Sequence, residues 1–396
     1  MNLDVGLLAS SLIIATFLAW SAGSNNAANL VAAAVGARVI RLKSALLIAT
    51  VFEVVGSVLL GWCITSTLSI GIVNVDSVPS QALSMGMLSA MFAAGIWILV
   101  ASLLRVPISV NETVVAGIVG FGLSVSLRSV QWWRVAFIYV SRFLMVPLSG
   151  LLAFTLKKLF ARKLENPKTL PAASNLSLFA ISVLVTFSAV VRVLDYGLSL
   201  LVALILGGAS LLMFNAYVSG KSGDPLERVV IYEKTLSAII VGLMALSHGA
   251  SNAGIVVGPL MNVLLRTYET PNEGTTLILL LISGSLMSLG IISWGRRVVG
   301  TLGEELTTLS YPTAIISYFS ASTTVMILAQ LGVPAATTMA VTGSIVGVGF
   351  AEGYSAVNSR VLKKILVLWL VTTPACIVFS YTLFNVATYF TQTRFT

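Results

Sequence analysis

Two stretches of the chain decide its fold: RVPISVNETVVAGIVGFG at positions 105–122 and GVPAATTMAVTGSIVGVG at positions 332–349. They align Pro107 with Pro334, Gly120 with Gly347 and Gly122 with Gly349 at a constant separation of 334 − 107 = 227 positions. A second pair, GSNNAAN at 23–29 and GASNAGI at 249–255, recurs at a separation of 249 − 23 = 226 positions. Two elements therefore recur in the same order half a chain apart, which indicates an internal duplication.

The composition predicts an integral membrane protein. Of the 396 residues, 57% are hydrophobic and only 9% are charged, and the mean hydropathy is +0.99. Soluble proteins carry about 25% charged residues, so most of this surface must face lipid. Because a crossing helix needs about 20 apolar residues, the apolar runs predict an all-α, multi-pass protein with roughly ten to twelve spans in the cell membrane.

Short apolar runs indicate helices that do not cross the bilayer in one piece. Runs 113–127 and 334–351 are too short for a crossing, and runs 5–20 and 235–247 lead directly into small polar stretches. Unpaired backbone is costly in hydrocarbon, so broken helices persist only where they are buried or line a polar cavity. We therefore expect discontinuous or re-entrant helices around a site between the two halves.

The basic residues divide the chain into parts. The net charge of +9 comes from short clusters between the apolar runs, a distribution typical of cytoplasmic loops. The longest cluster, 157–168, is predicted to be such a loop, and without an aromatic-interleaved basic stripe no nucleic-acid binding is expected. The predicted parts are a first repeat with its following span at 1–156, a basic loop, two middle spans and a linker at 157–234, and a second repeat with the C-terminal span at 235–396.

The polar stretches have the composition of an anion site. Asn25, Asn26 and Asn29 in the first stretch, and Ser251 and Asn252 in the second, offer hydrogen-bond donors and acceptors beside glycines that allow close backbone approach. Helix N-termini carry partial positive charge and free N–H groups that suit phosphate or sulfate. The alternative is a small-residue packing seam between helices.

The proline-led segments would contribute a second pair of polar groups. Pro107 and Pro334 suit a first helical turn, so the groups that follow them would face a cavity. These groups belong to Ser109 and Asn111 after the first proline, and to Thr337 and Thr338 after the second. Ordinary capped helix starts are the alternative.

Ionisable residues inside the apolar runs are few. The presence of Glu53 and Glu112 in apolar runs must be explained by a function or a partner, because a buried charge costs about 2.5–3.5 kcal/mol on insertion scales. Coupling of transport to a cation or proton is one explanation for these acids. The alternative is a structural pair with Arg142, a residue that we predict to be structural. His248, the only histidine, could titrate near neutral pH or form a structural hydrogen bond. The sequence contains no nucleotide loop, zinc motif or Ser/His/Asp set, so neither an enzyme nor a resident cofactor is expected.

The ordered motifs resemble the inorganic phosphate transporter family (PiT, solute carrier 20-like). The family signature is a Gly-Ala-Asn-Asp-x-Ala-Asn turn in each half, which 23–29 and 249–255 resemble here. The likeness continues in Phe52-Glu53-x-x-Gly56, in Trp294-Gly295-Arg296-Arg297-Val298, in Gly303-Glu304 and in two segments similar to the family's Pro-x-Ser-Thr-Thr-His. It covers both repeats and is weak only in the middle of the chain.

This resemblance implies an inverted-repeat transporter that binds phosphate, with sodium ions or protons, between its halves. Carried over by position, the substrate and ion site would contain Asn25, Asn26, Asn29, Ser109, Asn111, Ser251, Asn252, Thr337 and Thr338. Glu53 matches a family acid implicated in coupling, and Glu112 and His248 join it as coupling candidates. The implied function is secondary active transport of phosphate. A sulfate or related oxyanion permease and a passive anion channel are the alternatives, and a homodimer is an open option.

The chain departs from the family at the two motif aspartates, which are Asn26 and Asn252 here. Hard cations prefer carboxylate oxygens, so a sodium site at Asn25, Asn26 and Asn252 would lack its strongest ligands, and Glu112 would restore one charge. We therefore expect weakened sodium coupling, with sulfate open as a substrate.

Overall fold

The computed structural model describes residues 5–62, 64–65, 72–74, 78–191, 193–265, 273–299, 306–333, 335–353 and 356–391. The helices in these ranges are α1 (Val5–Gly36), α2 (Leu42–Leu60), α3 (Ser80–Leu103), α4 (Val110–Val125), α5 (Trp132–Glu165), α6 (Leu170–Val190), α7 (Tyr196–Lys221), α8 (Pro225–Leu265), α9 (Glu273–Trp294), α10 (Tyr311–Gln330), α11 (Thr337–Glu352) and α12 (Ser359–Phe390). Cys63, Gly303, Glu304 and Pro334 lie outside the described residues.

Ten of these helices, all except α4 and α11, are long and apolar enough to cross a membrane. This confirms the predicted all-α fold and number of spans, and the protein is a multi-pass integral membrane protein. Helices α4 and α11 have 16 residues each. At about 1.5 Å per residue they are too short for a hydrocarbon core of about 30 Å.

Each short helix folds back on a longer partner to form a helical hairpin. Helix α4 packs against α3, and α11 packs against α10. The two hairpins turn at matching residues, because Arg105 has φ 57° and Gly332 has φ 71°, and 332 − 105 = 227. This left-handed conformation is easy for glycine and unfavourable for arginine. The predicted re-entrant segments are therefore one hairpin built twice.

The predicted breaks at 23–29 and 249–255 are wrong. Helices α1 and α8 run through these stretches without interruption. Their glycines allow close packing: a Cβ atom at Gly23 would lie 1.9 Å from the Met287 carbonyl oxygen, and one at Gly249 would lie 2.2 Å from the Glu53 carbonyl oxygen. The small residues thus admit the neighbouring helices α9 and α2 instead of ending their own helix.

The two halves pack against each other in a two-fold pattern. Helix α1 packs against α9 as α8 packs against α2, and α5 packs against α11 as α12 packs against α4. Helices α1 and α2 are antiparallel, since only a short turn joins them, whereas α2 and α8 are parallel. The parallel direction follows from two contacts, Gly242 with Phe52 and Gly254 with Thr65. Helix α8 therefore runs opposite to α1, so the repeats α1–α5 and α8–α12 are inverted.

The predicted basic loop at 157–168 is mostly helical. Residues 157–165 form the last turns of α5, and α6 begins at Leu170. Lys157 forms an ion pair with Glu352 at the end of α11. The chain path brings the C-terminal ends of α1 and α9, with Arg38 and Arg296, to this same end of the bundle. The charge clusters therefore gather at one end of the protein.

Candidate oxyanion site at the hairpin tips

The two hairpin tips meet in the protein interior and exchange hydrogen bonds. The Asn111 side-chain amide of α4 donates to the Ala335 carbonyl of the second tip. In return, the Thr338 hydroxyl of α11 donates to the Ile108 carbonyl of the first tip over 3.0 Å. These positions match at the repeat separation, 338 − 111 = 335 − 108 = 227. The tip contact is therefore one interaction made twice.

Helices α1 and α8 each hold one tip. The Asn25 side-chain amide donates to the Val106 carbonyl over 3.1 Å, and its side-chain oxygen accepts from the Ile108 N–H over 2.9 Å. Ser251, at the matching position of α8, donates its hydroxyl to the Ala335 carbonyl over 2.8 Å. Unbroken helices thus present their polar stretches sideways to the tips.

Further asparagines join the second tip to both long helices. The Asn29 amide of α1 donates to Asn26 Oδ1 over 2.6 Å and to the Thr338 hydroxyl over 2.8 Å. The Asn252 amide of α8 donates to the Thr337 hydroxyl over 3.2 Å. The first turn of α11 therefore contacts α1 and α8 at once.

The structure brings all nine predicted substrate residues into this tip cluster, and none is more than 4% exposed. The tip cluster comprises Asn25, Asn26, Asn29, Ser109, Asn111, Ser251, Asn252, Thr337 and Thr338. Ser109 differs from the others in its contacts. Its hydroxyl accepts from the Glu112 N–H over 3.3 Å, so it caps the start of α4, which is the alternative considered above.

Three polar atoms of the tip cluster have no hydrogen-bond partner among the described residues: Asn26 Nδ2, Asn29 Oδ1 and Asn111 Oδ1. A buried polar atom without a partner costs about 1–3 kcal/mol, which points to a ligand that completes the set. The Asn26 amide can donate to an anion. The other two atoms can only accept, either from a hydroxyl group or by contacting a cation.

Two helix N-termini add positive potential to this space. Helices α4 and α11 both begin at the tips. At α11 the N-cap residue is Ala336, so no side-chain cap occupies its first N–H groups. Such N–H groups and the aligned peptide dipoles attract phosphate-like anions. Buried amides, hydroxyls and two helix N-termini gathered at the tips can replace the hydration shell of a tetrahedral oxyanion.

A sequence model described as the phosphate transporter family matches residues 22–380. That range contains both hairpins and the whole tip cluster. The chain belongs to the phosphate transporter family.

Whole-length similarities agree with this family. A solved structure titled "The sodium-dependent phosphate transporter" matches this family member with a TM-score of 0.88 and 30% identity, over 97% of this chain and 99% of that chain. A provisionally named phosphate permease of Thermococcus kodakarensis is 30% identical over 95% of this chain and 96% of its own length. Another, of Pyrococcus abyssi, is 30% identical over 98% and 99%. The resemblance inferred from the motifs is confirmed.

The coupling candidates Glu53 and His248 form a buried pair in this transporter family member. The His248 Nδ1 atom lies 2.8 Å from both carboxylate oxygens of Glu53, and both side chains are fully buried. The structural alternative of a Glu53–Arg142 pair is therefore wrong. In the other half, Met287 packs on Gly23 as Glu53 packs on Gly249, and Ala22 stands in place of His248. The pair thus occurs once, at the interface of α2 and α8.

Glu112 belongs to a different buried group. One of its carboxylate oxygens accepts from the Thr373 hydroxyl of α12 over 2.5 Å, and the other has no partner among the described residues. Its neighbouring opposite charge is Arg142 of α5. The sequence analysis offered Arg142 as a structural partner for the buried acids, and the structure places it near Glu112. Sequence reasoning missed Thr373, because it lies on α12 and no local pattern connects it to Glu112.

Of the three predicted sodium ligands, Asn25 and Asn26 already have protein partners for their side-chain oxygens. The side-chain oxygen of Asn25 accepts from the Ile108 N–H, and that of Asn26 accepts from the Asn29 amide. Each could offer a cation only its remaining lone pair. Within the described ranges, no group of three or more His, Cys, Asp or Glu side chains is placed to hold a metal ion.

Proposed function

We propose that this protein is a secondary active transporter that carries inorganic phosphate across the cell membrane, coupled to a cation. Membership in the phosphate transporter family and the whole-length likeness to a sodium-dependent phosphate transporter support this proposal. The observation that carries it is the set of partnerless atoms in the tip cluster.

That set favours phosphate over sulfate. Near neutral pH phosphate keeps at least one P–OH group, whereas sulfate has none. Asn26 Nδ2 can donate to a bare phosphate oxygen. Asn29 Oδ1 and Asn111 Oδ1 can each accept from a P–OH group, so hydrogen phosphate pairs one of them and dihydrogen phosphate pairs both. Sulfate would leave both acceptors without a donor, which costs about 1–3 kcal/mol for each.

The geometry favours a transporter over a passive channel. The hydrogen bonds Asn111–Ala335 and Thr338–Ile108 close the space between the tips, and every residue of the tip cluster is buried. A channel needs a continuous water-filled path. Here an anion would enter or leave only after a hairpin moves away from its counterpart, which is the requirement for alternating access.

The Glu53–His248 pair supports a coupling role. A carboxylate facing an imidazole can share one proton, so a proton or cation arriving there changes the charge at the contact between α2 and α8. Helix α8 also carries Ser251 and Asn252 of the tip cluster. A change of charge at the pair is therefore one helical turn from the substrate residues.

The basic end of the bundle faces the cytoplasm in this proposal. Cytoplasmic loops carry the excess of lysine and arginine, and Arg38, Lys157 and Arg296 all belong to that end. The hairpin ends that carry Val125 and Ser80 would then face outward.

Uptake of labelled phosphate into proteoliposomes tests the function. Wild-type protein should accumulate phosphate when a proton or sodium gradient is imposed, with saturation, and a tenfold excess of sulfate should compete weakly. Separate imposition of each gradient identifies the coupling cation. Uptake no greater than in empty vesicles under both gradients would contradict phosphate transport, and flux without saturation would indicate a channel.

A further inference from the structure

Arg142 is a buried cation that the proposed function has not used. Of the lysines and arginines that the structure describes, it is the one with a fully buried side chain, at 0% exposure in the middle of α5. A guanidinium in the membrane interior is costly unless it has partners. Its presence at this depth therefore calls for an anionic counterpart.

The described residues only partly compensate the charge of Arg142. None of the three guanidinium nitrogens of Arg142 has a hydrogen-bond partner within the described part of the chain. The guanidinium lies over the Tyr139 ring, with the central carbon 5.4 Å from the ring centroid. Glu112 interacts with it electrostatically but forms no ion pair with it, and one Glu112 oxygen is also without a partner. The whole Arg142 guanidinium and one oxygen of the neighbouring Glu112 carboxylate therefore lack a hydrogen-bond partner among the described residues.

These two charged groups lie beside the hairpin tips. Met145, three residues after Arg142 and so on the same face of α5, accepts the Ala336 N–H through its sulfur over 3.1 Å. Glu112 follows Asn111, whose amide reaches the opposite tip. Arg142 is thus placed between the start of α4 and the segment that leads into α11.

The tip cluster itself carries no formal positive charge. Its nine side chains are amides and hydroxyls, yet phosphate enters with one or two negative charges. Helix N-termini supply only about half an elementary charge each. A guanidinium presents a planar fork of N–H donors that matches two oxygens of a phosphate group.

We propose that Arg142 binds the transported phosphate as its fixed counter-charge, and that Glu112 balances the guanidinium when the site is empty. This inference rests on the proposed function. The matching positions of the other half are Trp369 and Met339, at the separation of 227 residues. The counter-charge therefore occurs once among the matched positions.

Phosphate binding by variants of the purified protein in detergent tests the inference without any gradient. The readout is the rise of the melting temperature with phosphate concentration, and the uptake KM in proteoliposomes accompanies it. The double variant R142Q/E112Q removes both charges, so no unpaired charge remains buried. We expect its phosphate affinity to fall at least about tenfold, since hydrogen bonds to charged groups are stronger than those between neutral groups.

Two further variants keep the result interpretable. Arg142→Lys keeps the charge but loses the fork, and we expect phosphate to bind about three- to tenfold more weakly. Lys157→Gln removes the same charge from the same helix at its membrane end, and its phosphate affinity should match wild type.

Each outcome separates this inference from the proposed function. A double variant that binds phosphate like wild type would show that Arg142 merely neutralises Glu112, and the inference would fail while phosphate transport stands. If the double variant does not fold, wild-type affinity in Arg142→Lys would overturn the inference in its place. A wild-type protein that neither binds nor transports phosphate would overturn both.

Discussion

The first hairpin carries Glu112 immediately after the asparagine that reaches the opposite tip, whereas the second carries Met339 at the matching position. The helices packed against them show the same contrast, since Arg142 on α5 is matched by Trp369 on α12. The hydrogen bonds between the tips are nevertheless equivalent. The backbone frame is duplicated, while the charged groups are confined to one copy of each position.

The duplicated hydrogen bonds and the single charged groups therefore have different functions. Whichever hairpin moves away, the same two tip-to-tip hydrogen bonds must break, so this part of the free-energy cost is alike for both. Single copies of Glu53–His248 and Glu112–Arg142 can then set the bound charge and the coupling without altering the frame. Substitutions at matched positions should therefore have equal effects when both residues belong to the duplicated backbone frame. They should have unequal effects when only one of the two residues is charged.

The largest effect is expected at the frame glycines. Gly23→Ala and Gly249→Ala each place a Cβ atom against a neighbouring backbone, at 1.9 Å and 2.2 Å. We expect both to lose more than about 3 kcal/mol of stability, since over-packing at backbone contacts exceeds ordinary side-chain strain. The control Gly208→Ala adds a Cβ with nothing within 4 Å. Thermal unfolding of the purified proteins measures this, and tolerance of one substitution but not the other would break the two-fold comparison.

The next effect concerns the charged pair. Glu53→Gln removes the partner of His248, and we expect gradient-driven accumulation of phosphate to fall at least about tenfold while phosphate exchange persists. Met287→Leu, at the matching position of the second half, is a volume-conserving control and should accumulate phosphate normally. Normal accumulation by Glu53→Gln would mean that the pair is structural.

A smaller and unequal effect is expected at the matched asparagines. Asn26→Ala removes the partnerless donor, whereas Asn252→Ala removes an amide that Thr337 already engages. We expect the phosphate KM to rise about tenfold in the first variant and about threefold in the second, with normal membrane insertion. Wild-type KM in both would remove the assigned site.

The smallest effect should appear at the tip contact. Thr338→Val and Asn111→Ala each remove one cross-tip hydrogen bond, and a bond of about 1 kcal/mol corresponds to roughly fivefold faster amide hydrogen exchange at the tips. The two variants should agree. Thr342→Val makes the same change on α11 at a hydroxyl without a partner among the described residues and should leave exchange unchanged. Unequal exchange rates would show that the tips are not equivalent.

Much of the duplicated backbone frame could be predicted from the sequence. The repeat separation of 227 residues located both hairpins, and apolar run length located the spans. The breaks at Gly23 and Gly249 were predicted wrongly because a glycine that admits a neighbouring helix and a glycine that ends a helix look the same in one sequence. Only the position of α9 and α2 distinguishes them.

The sequence predicted the site residues that belong to the repeated segments. It did not predict the contacts of the residues that occur in one half only. Asn111 and Thr338 were predicted because they follow the prolines of the two repeated segments. The hydrogen bonds between Glu53 and His248 and from Thr373 to Glu112 join different helices, so they depend on packing that no local pattern encodes. Arg142 has no counterpart in the second repeat, and a resemblance based on duplicated motifs therefore passed over it.

A structure of the wild-type protein determined with phosphate bound tests the central claim most directly. We predict density for one tetrahedral anion between the tips, within hydrogen-bond distance of Asn26 Nδ2, Asn29 Oδ1 and Asn111 Oδ1. Phosphate bound elsewhere, with side chains packed tightly between Asn111 and Thr338, would contradict the claim.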